Sequence, residues 1–311
     1  MDRFIDEMVA DLRKRGFQTR LVSINRAASM QKQIGDLRNK DLFDNAFFQD
    51  RLAGFRFQAP ENLPKAQSVI VAAIPRPQTR AIFSLKGHRR ALIIPPTYTQ
   101  YDGIHKQFEN ALMETLSKKG FSVAKTMLPL KQLAVRSGLA EYGRNNISYV
   151  SSMGSFLQLV GVYSDLPCEE EDSWREPVMM KACENCELCR QACPTGALSP
   201  DRFLLHGERC IVYHNEKKGD IPFPDWMNAS WHNCLIGCMH CQRACPLNRK
   251  FLGWVEQEEE FSEDETNLLL KGTTQDKLPA TALGKLERLS LVDDLERFPR
   301  NLGVYFKNLA T

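Results

Sequence analysis

Residues 183–194 read CENCELCRQACP, with the spacing C-x2-C-x2-C-x3-C-P, and residues 234–246 read CLIGCMHCQRACP. The first run has a spacing with which cysteines bind [4Fe–4S] clusters, and the second run repeats most of it. One further cysteine, Cys210, lies between the two runs. The pair of runs predicts two iron–sulfur clusters, around which the rest of the chain has to be explained.

The composition is that of an ordinary globular protein. The 311 residues are 43% hydrophobic and 25% charged, and the formal net charge is +3, too small to indicate nucleic acid by itself. The apolar run 69–74 is far too short to span a bilayer. The opening residues MDRFIDE lack the apolar core of a signal peptide. We therefore expect a cytoplasmic protein with no membrane segment.

The placement of the cysteines favours metal binding over disulfides. Nine of the ten cysteines fall within the 63 residues from Cys183 to Cys245, and clustering of this kind in a reducing compartment is typical of metal sites. A zinc ribbon with two C-x2-C pairs is the alternative. The proline after each run and the three-residue spacings disfavour that alternative. Cys168, outside the cluster, is predicted to be a plain thiol.

The ligand sets follow the rule for two-cluster ferredoxins, in which the cysteine before the proline serves the other cluster. The first cluster then takes Cys183, Cys186, Cys189 and Cys245. The second takes Cys193, Cys238 and Cys241 and needs a fourth ligand, either Cys210 or Cys234. Spacing favours Cys210, because three residues separate Cys234 from Cys238 where the ferredoxin run has two.

Hydrophobic periodicity predicts alternating helices and strands ahead of the cysteines. Helices are predicted over residues 2–15, 104–119 and 130–137, and strands over residues 19–24, 66–74, 91–94 and 121–125. A hairpin is predicted from residues 147–150 and 155–163. Phe43, Phe47 and Phe48 are predicted to point inward.

This alternation predicts an α+β protein with three contiguous domains. They are an α/β front domain at 1–166, a ferredoxin-like domain with two [4Fe–4S] clusters at 167–251, which opens with the polar connector 167–173, and a helical tail at 252–311. The acidic run 256–260 is predicted to be a solvated face. Because a bare electron carrier does not need such a front domain, we expect the clusters to pass electrons to something bound there.

An ordered set of motifs runs along most of the first 250 residues. They comprise residues 62–71, Tyr98 to Lys106, the loop GLAEYGRN at 138–145, residues 154–159 and 163–167, CPTGAL at 193–198, Arg209-Cys210-Ile211 and residues 237–248. In these motifs the chain resembles the epoxyqueuosine reductase family and, more distantly, the cores of corrinoid reductive dehalogenases. The match around Cys210 adds to the preference for that cysteine as a ligand.

The resemblance implies a front domain of nitroreductase-like, corrinoid-binding type that holds a cobalamin close to one cluster. The residues that it assigns to the corrinoid are Tyr98, His105, Gly138, Gly143, Arg144 and Asn145. Glycines suit such a loop because the backbone can approach a ring closely. The structural alternative is that Gly138 ends a helix, Gly143 lies in a turn, and His105 is an ordinary helix residue.

The chain departs from the family in two places. The family carries an aspartate, taken as its proton donor, where this chain reads AKTMLPLKQ at 124–132 without a carboxylate. Tyr98, Tyr101, His105 and Glu141 are the possible replacements. The segment after Cys245 is short and acidic, whereas the family often continues into a helical repeat domain suited to tRNA. Both departures make tRNA a possible but disfavoured partner.

Two functions are therefore expected from the sequence. The first is an iron–sulfur oxidoreductase of the epoxyqueuosine reductase type, with two [4Fe–4S] clusters and a cobalamin, supplied by a low-potential electron donor of ferredoxin or flavodoxin type. The second is an electron-transfer or corrinoid-reactivating protein with no tRNA substrate. The missing aspartate favours the second function and the retained loop at 138–145 favours the first.

Overall fold

The computed structural model describes residues 1–169 and 174–307, apart from the side chain of Asp2, so most of the predicted polar connector lies outside the described residues. The α-helices are α1 Asp2–Lys14, α2 Arg26–Asn39, α3 Asn45–Arg51, α4 Tyr101–Leu116, α5 Leu130–Arg136, α6 Leu188–Gln191, α7 Ile211–Asn215, α8 His240–Arg243, α9 Glu263–Leu270, α10 Ala280–Leu289 and α11 Phe298–Phe306. The strands are β1 Gln18–Ser23, β2 Ser68–Pro75, β3 Gln78–Leu85, β4 His88–Ile94, β5 Val123–Lys125, β6 Glu141–Tyr142, β7 Ser148–Tyr149, β8 Leu157–Ser164 and β9 Val255–Phe261.

The chain divides into two compact units that are not contiguous in sequence. The first unit comprises Met1–Pro75, Tyr101–Glu187 and Leu198–His206, and the second comprises Arg76–Gln100, Leu188–Ala197 and Gly207–Thr311. These two units are defined by spatial compactness and not by boundaries in the sequence. The three contiguous domains therefore remain a prediction. The mixture of helices and strands confirms the α+β class.

The first unit contains a four-stranded sheet in the order β1-β2-β8-β5, antiparallel throughout. Side chains of β2 alternate between its two faces. Val69 and Val71 join one apolar cluster, and Ile70 and Ala72 join another. Alternation with a period of two therefore builds a core on each side of the sheet.

The helix α4 forms where the sequence predicts one. Ile104, Phe108, Leu112 and Leu116 recur every four residues and are all buried, so one face of the helix packs on the core. The chain leaves the helix through Gly120, whose φ of +79° is a left-handed conformation that glycine adopts without strain. The predicted helix and its stop are confirmed.

Two local predictions for the first unit are wrong. β7 pairs with β6, and β8 lies between β2 and β5, so the predicted hairpin of residues 147–150 and 155–163 does not form. A single bridge, Val150 to Gly154, closes the turn that resembles a hairpin in sequence. Of the three phenylalanines predicted to point inward, Phe48 is buried, but Phe43 and Phe47 are only half-buried.

The second unit contains a three-stranded sheet in the order β4-β3-β9. β9 runs parallel to β3 and contains the whole acidic run 256–260, for which the sequence predicts a solvated face. Glu258 and Glu260 accept hydrogen bonds from Arg80 and Arg89 of the neighbouring strands. The helical prediction for 252–311 omits this strand, because five glutamates and glutamines in seven residues have low strand propensity.

The core of the second unit is built from the apolar sides of this sheet and of α9, α10 and α11. Phe83 of β3 stacks on Phe261 of β9 at a centroid distance of 4.9 Å, and Phe298 of α11 meets Phe83 edge-on at 6.2 Å. These three rings are fully buried. Across residues 1–169 and 174–307, no helix has the length and apolar character needed to cross a membrane.

Candidate iron–sulfur centre

The first two cysteines of the motif lie in a tight turn of the first unit. Cys183 ends a short 3-10 turn, and the backbone N–H of Cys186 donates to the Cys183 carbonyl at 3.3 Å. The backbone N–H of Arg144 donates to Sγ of Cys183 at 3.4 Å, and its guanidinium donates to the Cys183 carbonyl at 2.6 Å. Arg144, which the resemblance assigns to a corrinoid, thus holds the cysteine loop.

The third and fourth cysteines lie in the second unit. Cys189 is in the single turn α6 and is buried. Sγ of Cys193 lies 3.5 Å from Oγ1 of Thr195, and the Cys193 carbonyl accepts from the N–H of Gly196, whose φ is +65°. The C-P-T-G sequence therefore forms a turn in which glycine supplies the left-handed conformation.

The second run surrounds a glycine against which an aromatic ring packs. Gly237 has a φ of +74°, and a Cβ at that position would lie 2.8 Å from ring carbon Cε2 of Tyr98. The Tyr98 hydroxyl donates to the carboxylate of Glu216. Burial raises the pKa of Tyr98 well above its ordinary value, and the charges of Glu216, Cys210 and Cys234 raise it further. Tyr98 is therefore a buried neighbour of the cysteine segments.

Six thiols of the second unit share one neighbourhood. Burial raises the pKa of the Cys241 thiol, and the thiols of Cys238, Cys210, Cys193 and Cys189 add to the rise. The pKa of Cys238 is raised by burial and by Cys210, Cys234 and Cys193, whereas a backbone hydrogen bond from His240 opposes the rise. The set favoured by spacing, Cys193, Cys210, Cys238 and Cys241, lies in this neighbourhood together with Cys189 and Cys234.

Cys234 has a different environment. Its side chain is 1% exposed, and burial raises the pKa of its thiol to about 12. Its carbonyl accepts from the hydroxyl of Tyr305 at 3.0 Å, and its backbone forms a bridge to Ile93 of β4. Cys234 therefore packs in the core of the second unit.

The arrangement suits a cluster better than a single ion. Over the described residues, no three or more His, Cys, Asp and Glu side chains are placed to hold one metal ion. In a [4Fe–4S] cube each cysteine bonds its own iron, so the four sulfurs surround a volume rather than a point. All ten cysteines lie in the described residues, and no disulfide joins any of them. The first ligand set remains the sequence prediction, because its members are divided between the two units.

The remaining residues assigned to a corrinoid make contacts within the protein. Gly138 has a φ of +73° and is covered by the guanidinium of Arg175. Nδ2 of Asn145 donates to the Tyr149 hydroxyl at 2.9 Å, and Gly143 faces the same ring. His105 is buried, and its Nε2 lies 3.1 Å from the carbonyl oxygen of Gly161.

These contacts do not provide the fit that a corrin would need. The loop at 138–145 is occupied by protein groups, His105 is bound to a strand, and Tyr98 belongs to the second unit. The assignment of the six residues to a corrinoid therefore remains a prediction that rests on the resemblance, and no chemical step is derived through cobalamin.

In the segment 124–132, which contains no carboxylate, Thr126 is buried. Its hydroxyl accepts from the N–H of Leu128 at 3.1 Å. A hydrogen bond with Thr126 also lowers the pKa of Tyr163, against the larger effect of burial, which raises that pKa. Of the alternative proton donors, Tyr101 is exposed and Glu141 is exposed, whereas His105 is buried.

Sequence reasoning missed the residues that support the second cysteine run from α11. Arg300, Asn301 and Tyr305 donate to backbone carbonyls of Asn215, Leu235 and Cys234, among others. The spacing of four residues between Asn301 and Tyr305 could have indicated that these two share a face of the helix. Nothing in the sequence shows which carbonyls lie opposite that face.

Comparison with known proteins agrees with this site. A family model described as "4Fe-4S double cluster binding domain" matches residues 182–248. An epoxyqueuosine reductase of Staphylococcus aureus is 28% identical over 211 residues, which cover 65% of this chain and 53% of that protein. One of Cyclobacterium marinum is 34% identical over 147 residues, or 46% of this chain and 45% of that protein. The chain thus spans about half the length of these curated relatives.

Solved structures show the same fold. The epoxyqueuosine reductase from Bacillus subtilis matches 98% of this chain and 81% of its own with a TM-score of 0.67 and 20% identity. That from Streptococcus thermophilus matches 97% and 80% with a TM-score of 0.65 and 17% identity. At such identities the structural likeness shows the fold alone. Together with the sequence relatives and the double-cluster match, it shows that the chain is similar to epoxyqueuosine reductases.

Proposed function

We propose that this protein is an iron–sulfur oxidoreductase that passes electrons through two [4Fe–4S] clusters. The observation that supports this best is the shared neighbourhood of the thiols of Cys193, Cys210, Cys238 and Cys241 in the second unit. This set combines the ferredoxin-type cysteine of the first run with two cysteines of the second run. The match of residues 182–248 to a double-cluster domain supports the same reading.

The two ligand sets are proposed as follows. The first cluster takes Cys183, Cys186, Cys189 and Cys245, which rests on the motif spacing. The second takes Cys193, Cys210, Cys238 and Cys241, which rests on spacing and on proximity. Cys210 is chosen over Cys234 because its thiol lies near those of both Cys238 and Cys241, and because three residues separate Cys234 from Cys238 where the ferredoxin run has two.

The chain's own residues determine how such clusters behave as electron carriers. The N–H groups of Arg144 and His240 donate toward Sγ of Cys183 and Cys238. Hydrogen bonds to ligand sulfurs and burial from water both change the reduction potential of a cluster. The thiols must lose their protons when iron binds, and the bonds to iron offset the burial that otherwise favours the neutral form.

Iron and sulfide analysis tests the cluster proposal. After anaerobic reconstitution, about eight irons and eight sulfides per chain are expected from two cubes. Stoichiometric zinc with little iron, or about four irons per chain, would contradict it. Low-temperature electron paramagnetic resonance of the reduced protein should show two interacting centres.

The substrate is proposed from the relatives alone. The curated relatives are epoxyqueuosine reductases, and one solved structure is of such an enzyme with an epoxyqueuosine-modified tRNA stem loop. We therefore propose reduction of a bound substrate, with epoxyqueuosine in RNA as the first compound to test. Conversion of a modified stem loop to queuosine by the reduced, reconstituted protein, followed by mass spectrometry of the nucleosides, decides this part.

The second candidate is an electron-transfer or corrinoid-reactivating protein with no tRNA substrate. The observation that favours it is the segment 124–132, which has no carboxylate and in which the Thr126 hydroxyl is already engaged by Leu128 and Tyr163. A protein that takes up and passes on electrons but leaves epoxyqueuosine unchanged is the outcome expected from this candidate.

Cobalamin enters the proposal only through the family resemblance. If it binds, it supplies a strongly reducing metal centre, and the protein orients it. Equilibrium dialysis with cobalamin, read by its visible absorption, tests binding without reference to activity. A protein with both clusters that takes up no cobalamin would remove the corrinoid from both candidate functions.

We also propose that the protein works in the reducing cytoplasm and receives its electrons from a low-potential donor protein.

A further inference from the structure

Two cysteine-bearing segments of the second unit carry formal charge of positive sign only. From Met227 to Val255 the sequence contains no Asp or Glu, whereas Arg243, Arg249 and Lys250 fall within it. The short segment 188–200, which contains α6, also has no acidic residue and includes Arg190. Such a bias is unusual in a chain with 38 acidic and 41 basic residues.

The three cations are exposed and lie on adjoining elements. Arg243 is the last residue of α8, and Arg249 and Lys250 belong to the 3-10 helix Pro246–Phe251. All three are exposed. Both α6 and the 3-10 helix pack against α8, so the three elements form one continuous surface. We call it the α6–α8 surface.

Two exposed leucines lie on the same elements. Leu188 in α6 is 45% exposed, and Leu247 in the 3-10 helix is 43% exposed. Large apolar side chains surrounded by cations, with no anion on the same elements, are typical of a surface that meets another protein. The acidic strand β9 does not cancel this charge, because Glu258, Glu259 and Glu260 already pair with arginines.

Cluster ligands lie directly beneath this surface. The α6–α8 surface includes Cys189 in α6, Cys241 in α8 and Cys245 at the start of the 3-10 helix. Cys241 and Cys245 are themselves partly exposed. A carrier protein seated here would bring its own redox centre close to the iron bound by these cysteines.

We propose that the α6–α8 surface is the docking site of an acidic ferredoxin that reduces the clusters. The proposal rests on the proposed function, since it requires redox-active clusters. The reduced donor's [2Fe–2S]⁺ centre loses one electron and becomes [2Fe–2S]²⁺, while a [4Fe–4S]²⁺ cluster of this protein becomes [4Fe–4S]⁺. No proton moves and no bond is made or broken. The cations steer the encounter, and the leucines provide the contact.

The test uses the full-length protein with both clusters and a charge-reversal variant, Arg243→Glu/Arg249→Glu/Lys250→Glu. The matched control is Arg90→Glu/Lys271→Glu/Lys277→Glu, which changes the net charge equally at exposed positions on β4 and after α9. Stopped-flow absorbance measures reduction by an acidic [2Fe–2S] ferredoxin. A second measurement uses a viologen radical cation, a small reductant that needs no docking surface.

At about 0.05 M salt the surface variant should be reduced by ferredoxin at least about tenfold more slowly than the control variant. At about 0.5 M salt the difference should fall below about twofold, because the charges are screened. Reduction by the viologen cation should not slow. Leu247→Ser should slow reduction by ferredoxin at both salt concentrations. If the reversal variant is poorly loaded with iron, the neutral Arg243→Gln/Arg249→Gln/Lys250→Gln replaces it and should be slowed less but in the same direction.

Equal ferredoxin rates for surface and control variants would overturn the docking site while leaving the proposed function intact. Loss of binding to an RNA stem loop in the surface variant, with an unchanged ferredoxin rate, would assign the surface to RNA and also overturn it. Failure of the viologen to reduce the wild-type clusters would instead overturn the proposed function, and the docking site with it.

Discussion

Cys210 and Cys234 are the two residues whose surroundings decide the ligand set of the second cluster. Cys210 precedes α7 in an extended conformation and lies near the thiols of Cys238 and Cys241. Cys234 lies near Cys238, but its carbonyl and backbone are tied to Tyr305 and β4. Cys210 is the better candidate, because its thiol lies near those of both Cys238 and Cys241 and because three residues separate Cys234 from Cys238 where the ferredoxin run has two.

We predict that Cys210→Ala loses one cluster and that Cys234→Ala keeps both. The expected iron content after reconstitution is about four per chain for the first variant and about eight for the second. Far-ultraviolet circular dichroism of both variants checks that the fold is retained. A Cys234→Ala protein with half the iron, beside a fully loaded Cys210→Ala protein, would reverse the assignment.

His232 makes the second unit sensitive to acid. Burial, together with the nearby charges of Arg300 and Lys307, lowers the pKa of His232 to about 4. Below the ordinary histidine pKa of 6.5 the unfolded chain takes up a proton that the folded protein refuses. The free energy of unfolding must therefore decrease as the pH falls from about 6.5 toward 4.

We predict that His232→Asn removes a loss of stability on the order of 2 kcal/mol between pH 7 and pH 5. Urea unfolding of wild type and variant at both pH values measures this difference, with iron content checked at each pH. If the free energies of unfolding of wild type and variant change with pH in parallel, His232 takes up its proton without destabilising the folded protein, and the prediction is wrong.

At the scale of elements, α11 holds the loop that follows α7. The guanidinium of Arg300 donates to four backbone carbonyls at 2.6 to 3.1 Å, those of Asn215, Lys217, Lys218 and Ile221. It also lies over the ring of Phe223 at 4.5 Å. Burial lowers the pKa of Arg300 to about 10. One side chain thus replaces the hydrogen bonds that a loop without secondary structure cannot make for itself.

We predict that Arg300→Ala destabilises the protein by about 3 kcal/mol, since four backbone carbonyls, that of the buried Asn215 among them, lose a charged donor. Arg300→Lys should recover only part of the loss, because an ammonium cannot match four acceptors as the guanidinium does. Arg3→Ala, which removes an exposed pair with Glu7, is the control and should change stability little. Equal stabilities of the Arg300 and Arg3 variants in urea would contradict this role.

Pairing between distant elements was the part of the fold least visible in the sequence. The strands β1, β2 and β5 and the helices α1, α4 and α5 follow from periodicity, because each buries a regular stripe of side chains. β3 and β9 were missed. They pair in parallel across more than 170 residues, and the glutamates of β9 are accommodated only because Arg80, Arg89 and Arg288 lie within reach.

At the scale of the whole molecule, the proposed cluster ligands are divided unequally between the two units. Six of the eight proposed ligands lie in the second unit, and only Cys183 and Cys186 lie in the first. Metal bound only by the folded state adds its binding free energy to the stability of the part that it binds. Removal of iron should therefore weaken the second unit more than the first.

We predict that chelation of the iron lowers hydrogen-exchange protection by at least about tenfold in the sheet β4-β3-β9. The sheet β1-β2-β8-β5 should keep protection close to that of the loaded protein, because its two cores contain no proposed ligand. Mass spectrometry of exchanged peptides, with and without chelator, provides both values in one sample. Equal loss in both sheets would show that the units unfold together.

The sequence by itself determined the chemistry of this protein. The spacing of its cysteines predicted two clusters and most of their ligands, because ligands for one cube must come largely from a single tight loop. Only the tertiary structure decided how the remaining residues are used. It joined β9 to β3, placed Cys234 in the core of the second unit, and assigned Arg144 to the backbone of the cysteine loop. These are contacts between segments far apart in the chain, and their energy depends on distances that no local pattern specifies.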